Sequence, residues 1–142
     1  MAEVSFYVLS SDLLQERYLF ACKLIEKAYR NGQCCYILTD NDEQSKLLDD
    51  LLWTFRAGSF IPHEIYTGLA PSADKVVLIG SVNAPEHSQT LLFNLSSKYP
   101  EDISKTERIL EILDNCEATK AAARNRYRQY QLTGMSVTTH NI

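Results

Sequence analysis

The segment EATKAAARNRYRQYQL, residues 117–132, sets four cations, Lys120, Arg124, Arg126 and Arg128, against a single acid, Glu117. The chain around it is acidic, with a net charge of −4 and a pI near 5.3. Wound as a helix at about 100° per residue, Lys120, Arg124, Tyr127, Arg128 and Gln131 fall within an arc of about 100°. One face is therefore cationic with an aromatic ring at its middle. A guanidinium fork can hold a carboxylate through two parallel hydrogen bonds, and a tyrosine ring can pack beside an apolar group. Such a face suits an acidic peptide with a hydrophobic end, or a single nucleic-acid strand. It is equally what a solvated helix end looks like when its positive residues complement the C-terminal dipole.

Other candidates for chemistry are isolated. Asp40 and Asp42 follow the apolar run CCYIL, where many α/β enzymes place acids, but their spacing also suits capping of the next helix. The His residues (63, 87 and 140) are scattered, and Cys22, Cys34, Cys35 and Cys116 lack CxxC spacing, which argues against zinc. Cys34 and Cys35 read as buried, reduced thiols of a strand. The first strand-to-helix turn, Ser10-Ser11-Asp12-Leu13, has no glycine to admit a pyrophosphate and carries an acid that would repel one. GxxxxGK[ST], G-x-S-x-G and HExxH are all missing from the sequence. No cofactor is expected. A nucleotide-dependent enzyme resting on Asp40 and Asp42 is the alternative, as is direct binding of single-stranded nucleic acid by residues 117–132.

The stretch LLWTFRAGSFIPHE, residues 51–64, holds the chain's Trp53 together with Phe55 and Phe60 around an Arg-Ala-Gly-Ser turn. Leu51 and Leu52 complete an apolar stripe with Leu47 and Leu48. Trp53 and the Phe60-Ile61-Pro62-His63 run are candidates for partner surface, stiffened by proline.

Those residues need a scaffold. Residues 4–9 (VSFYVL) read as a strand leading into a helix capped by Ser10, Ser11 or Asp12, with Leu14, Tyr18, Ala21, Ile25 and Ala28 on its buried face and a stop at Asn31-Gly32. CCYIL and the leucine helix extend this to β-α-β-α. Residues 61–66, 75–79 (KVVLI) and 90–95 (TLLFNL) read as strands. Residues 109–113 are ambiguous between helix and buried strand, and residues 117–132 form the last helix. Ala121, Ala122 and Ala123 would let it lie close to its neighbour. MSVTTHNI, residues 135–142, reads as a polar tail. Continuous apolar strands alternating with helices predict a three-layer, Rossmann-like α/β fold with a mostly parallel central sheet and no nucleotide-binding motif. With 142 residues, 45% of them hydrophobic, one domain spanning residues 1–142 is expected. The N-terminus has no basic n-region and no apolar run approaches the ~20 residues of a membrane span, so a cytoplasmic protein is expected.

Three segments together, SFYVL…NGQCCYILTDN, LDDLLWTFRAGSFIPHE and ARNRYRQYQLTG, resemble the chi subunit of bacterial DNA polymerase III holoenzyme, and the similarity runs over residues 4–137. The resemblance implies a non-catalytic adaptor that joins the clamp loader through the small psi subunit. It implies a second partner, the acidic C-terminal tail of single-stranded DNA-binding protein, which ends in Ile-Pro-Phe with a free carboxylate. Lys120, Arg124, Tyr127 and Arg128 match the family's tail-binding helix, with Leu113, Trp53 and Val137 lining the adjoining apolar pocket. Phe60, with Ile61, Pro62 and His63, matches the surface that docks psi or a repair helicase. The family pattern also makes residues 108–114 a strand. Gln131 departs from it, where relatives can carry a basic residue. DNA is then reached only indirectly.

Overall fold

The structure, a computed structural model, describes residues 3–33, 35–56, 58, 60–68, 76–82, 90–100, 103 and 106–142. Cys34, Lys75 and His87, which figure in the sequence reading, lie outside them. The elements run β1 (Glu3–Val8), α1 (Leu14–Arg30), β2 (Cys35–Leu38), α2 (Asp42–Thr54), β3 (His63–Ile65), β4 (Val77–Gly80), β5 (Leu91–Asn94), β6 (Arg108–Leu113), α3 (Glu117–Leu132) and β7 (Ser136–Asn141). The strands form one sheet in the order β3-β4-β2-β5-β6-β1-β7, and every pair is parallel.

Alternation along the strands divides the core in two. On one face Ile37, Ile79, Phe93 and Ile112 meet Ala21, Cys22 and Ile25 of α1 and Leu48 and Leu52 of α2. On the other, Val4, Phe6, Ile109 and Leu113 meet Ala123 and Tyr130 of α3. This is the expected three-layer, Rossmann-like fold, and burial on both faces explains why the strands read as continuous apolar runs. Residues 108–113 form a strand because a helix there would leave β1 and β5 without their shared neighbour.

Local chemistry sets the helix ends. Asn41 caps α2, its Oδ1 accepting from the Gln44 N–H at 2.9 Å, while Gln44 Oε1 accepts from the Asp40 N–H at 2.7 Å. Asp40 is thus not itself a cap: its Oδ1 accepts from the Ser97 N–H and hydroxyl at 2.9 and 3.0 Å, tying the end of β2 to the turn after β5. The expected cap of α1 from Ser10, Ser11 or Asp12 is not formed: Leu13 holds the N-cap position with no side-chain cap hydrogen bond, although Ser11 Oγ accepts from the Leu13 N–H at 3.1 Å. It ends at Asn31, with Gly32 at φ 78°.

Three expectations need correction. Leu14 and Leu47 lie outside the buried stripes, at 49% and 56% exposure: Leu47 is one helical step round from Leu48, while Leu14 shares the face of Tyr18 and Ala21 but is the first residue of α1. Of the three alanines, Ala123 alone is buried. Residues 136–141 are not a tail: they form β7, in parallel register with β1 from Glu3↔Ser136 to Val8↔Asn141. β1 would otherwise end the sheet with unpaired N–H and C=O groups, and SVTTHN, rich in β-branched residues, supplies their partners.

Candidate functional site

The site grows from the two faces of α3. Its inward face meets Glu111, which stands in the middle of the apolar strand RILEIL and is fully buried. Arg126, 3% exposed, donates from Nε to Glu111 Oε2 and from Nη2 to Oε1, each at 3.0 Å. Tyr130 donates its hydroxyl to Oε2 at 2.7 Å, and Asn94 Nδ2 donates to the same oxygen at 2.9 Å. Burial first, and the adjacent Glu111 second, hold the Tyr130 phenol well above the usual range, so it remains a donor. A buried carboxylate needs this set of donors, and together they fix the rotation of α3.

That rotation turns the other cations outward. A groove of about 380 Å³ opens between α3 and the β6-β1-β7 end of the sheet. Its walls are apolar where Phe6, Val8, Leu113 and Ala123 meet, and Lys120, Arg124 and Arg128 border it. Tyr127 lies half-buried between the two, its ring 5.4 Å from that of Phe6. Arg124 and Arg128 are exposed, and Lys120 Nζ donates to Asn115 Oδ1 at 2.8 Å. Glu117 stands near both Lys120 and Arg124, at 3.7 and 3.8 Å. Lys120, Arg124, Tyr127, Arg128 and Leu113 therefore come together as the sequence suggests. Val137, half-buried on β7, packs into the same cluster as Leu113 and Tyr127.

Trp53 does not join them. It is 59% exposed at the end of α2, its ring 4.6 Å from that of His63 at β3, which is the sheet edge opposite β7. Around it the run of residues 60–63 alternates in and out. Phe60 is 82% exposed and Pro62 is exposed, while Ile61 and His63 are buried. The Ile61 and His63 side chains are thus not surface groups. His63 Nδ1 lies 2.7 Å from the Ile61 carbonyl, and its Nε2 lies 3.0 Å from the Asp49 carbonyl and 3.3 Å from Asp49 Oδ1. The imidazole ties the strand start to α2, and the outward residues Trp53, Phe60 and Pro62 are left to solvent.

The carboxyl ends of the strands, where open α/β sheets hold nucleotides, contain a crevice of about 220 Å³ lined by Arg17, Asp40, Ser96, Ser97 and Arg126. Arg17 donates from Nε to the Ile112 carbonyl at 2.7 Å and from Nη2 to the Leu95 carbonyl at 3.2 Å. Arg126 Nη1 donates to the Ser97 carbonyl at 3.1 Å. Two guanidinium groups thus engage the strand-end carbonyls, and the space beside them is below the ~300 Å³ of a usual ligand pocket. Burial lowers the Arg17 pKa from its ordinary value, partly offset by Tyr18, Asp114 and Glu111. Among the described residues no group of three or more His, Cys, Asp or Glu could hold a metal ion. No helix of the described residues is long and apolar enough to cross a membrane.

Sequence reasoning missed Glu111, Arg17 and the inward turn of Arg126. The signal for Glu111 was present, since a lone acid within ILEIL requires a buried cation and donors if that run is a strand.

The fold and this geometry define a Rossmann-like protein whose small strand-end crevice is lined by its own arginines and whose cationic, apolar groove lies on the last helix. Residues 1–138 match the family described as DNA polymerase III chi subunit, HolC, and the chain belongs to that family, a replication accessory subunit. It is 32% identical over 142 residues to DNA polymerase III subunit chi of Pseudomonas aeruginosa, covering 100% of this chain and 98% of the relative. The protein of that name in Haemophilus influenzae is 27% identical over 140 residues (96% and 95%), and that of Escherichia coli 24% over 144 (98% and 97%).

Proposed function

We propose that the α3 groove holds the acidic C-terminal tail of single-stranded DNA-binding protein, and that the surface of Trp53, Phe60 and Pro62 docks the psi subunit or a repair helicase. The protein then acts as a cytoplasmic adaptor without catalytic activity, linking the coat on single-stranded DNA to the clamp loader. The observation that carries this reading is the pairing of an apolar pocket with Arg124, Arg128 and Lys120 at its border. A terminal carboxylate would bind the guanidinium groups, its apolar last residue would enter beside Leu113 and Tyr127, and upstream acids would meet the remaining positive field. Affinity falls as salt rises, because these cations are exposed or nearly so.

Fluorescence anisotropy with a labelled peptide that ends in an acidic run and Ile-Pro-Phe tests the reading. The wild type binds, and Arg124→Ala and Tyr127→Ala each weaken binding. If both variants bind like wild type, the groove is not the site. A gel shift with an oligonucleotide alone at low salt separates direct strand binding from the adaptor role, which expects no shift.

A further inference from the structure

A carboxylate already stands beside two of the cations that border the groove. Glu117 is the sole acid of α3, and its two oxygens reach different cations, Oε1 lying 3.7 Å from Lys120 Nζ and Oε2 lying 3.8 Å from Arg124 Nη2. Both distances exceed hydrogen-bond length, and the Glu117 side chain is 78% exposed, so it is shared loosely between the two. Arg124 is likewise 59% exposed, whereas Lys120, at 29%, is also held by Asn115.

We propose that Glu117 is an internal competitor for the cationic groove, which an incoming carboxylate ligand must displace; the proposal rests on the peptide-binding reading above. In the free protein it cancels part of the field of Lys120 and Arg124. A ligand offering one weak negative charge exchanges one carboxylate for another and gains little. A peptide with a terminal carboxylate and further acids replaces Glu117 and still has charge to place against Arg128. Glu117 thereby raises the charge a ligand needs, and selects acidic tails over ordinary chain ends.

Glu117 also sits in the first turn of α3, where a negative charge favours the helix dipole, so a stability change alone would not identify its role. Glu117→Asp separates the two effects, since it keeps the charge in the first turn and withdraws the carboxylate from Arg124, two turns away. The test is anisotropy titration of wild type, Glu117→Gln and Glu117→Asp with the acidic peptide at low and high salt, with thermal melts alongside. Glu117→Gln is expected to tighten binding about two- to fivefold at low salt, the scale of exposed ion pairs, with the gain vanishing at high salt. Glu117→Asp should tighten it less, with an unchanged melting temperature. Unchanged or weaker binding by Glu117→Gln, with wild type binding normally, overturns the proposal. Failure of wild type to bind would instead remove the parent reading.

Discussion

Arg124 and Arg126 stand two residues apart on one helix and have opposite surroundings. Arg126 is buried, forked onto Glu111 and bonded to the Ser97 carbonyl, while Arg124 is exposed at the mouth of an apolar groove in the loose company of Glu117. Residue type does not separate them. What separates them is the helical step and a single acid on β6: once Glu111 takes Arg126 and Tyr130, the periodicity of α3 sends Arg124, Tyr127 and Arg128 to the groove. The buried arginine is thus a positioning residue for the exposed ones.

Breaking the buried side has the largest expected effect. Arg126→Met leaves the Glu111 carboxylate buried without its guanidinium partner, and should cost about 3–5 kcal/mol in denaturant melts. Peptide binding would fall with it, because α3 would lose its fixed rotation. Breaking the exposed side should do the reverse. Arg124→Ala is expected to weaken peptide binding at least about tenfold by leaving the ligand carboxylate without its fork. Its stability should stay within about 0.5 kcal/mol of wild type, as for a surface change.

Alkaline titration sharpens the same contrast. The Tyr130 and Tyr36 phenols are raised from 10.0 mainly by burial, and the Cys22 thiol is raised from 9.0 to about 12. For each, the unfolded state releases its proton first as pH rises. Stability contributed by the bound proton is therefore full below pH 9 and lost above it, first through Cys22 and then, from pH 10, through the tyrosines. The loss approaches about 1.4 kcal/mol per pH unit for each group titrating. Urea melts from pH 7 to 11 read it, and Cys22→Ala should remove the earliest part of the decline.

The smallest effect belongs to the far edge of the sheet. Phe60 is 82% exposed, so Phe60→Ala should change stability by no more than about 0.5 kcal/mol, and peptide affinity in the α3 groove not at all. A clear loss of peptide binding would mean that the two surfaces are coupled.

The order of strands and helices was legible because apolar runs bounded by Asn41, Asn31-Gly32 and Gly80 carry it locally. The groove residues of α3 were legible for the same reason, since helical spacing alone collects Lys120, Arg124, Tyr127 and Arg128. Readings failed where tertiary pairing decides. SVTTHN looks like a tail until the free edge of β1 gives its backbone a partner. Ile61 and His63 look equivalent to Phe60 and Pro62 until extended backbone alternates them. Arg126 resembles its neighbours until Glu111, on the strand before α3, meets it from the sheet face that the helix covers. Trp53 belongs with the pocket residues through the family pattern alone, and the sheet order sets it at the opposite edge.

Whether the α3 groove is the peptide site is decided by mapping amide shifts of the ¹⁵N-labelled protein as the acidic Ile-Pro-Phe peptide is added. The perturbed residues are expected to cluster at Leu113, Lys120, Arg124, Tyr127 and Arg128, and at Thr139 of β7, which also lines the groove. Perturbations centred instead on Trp53, Phe60 and β3, with α3 unmoved, would contradict that assignment.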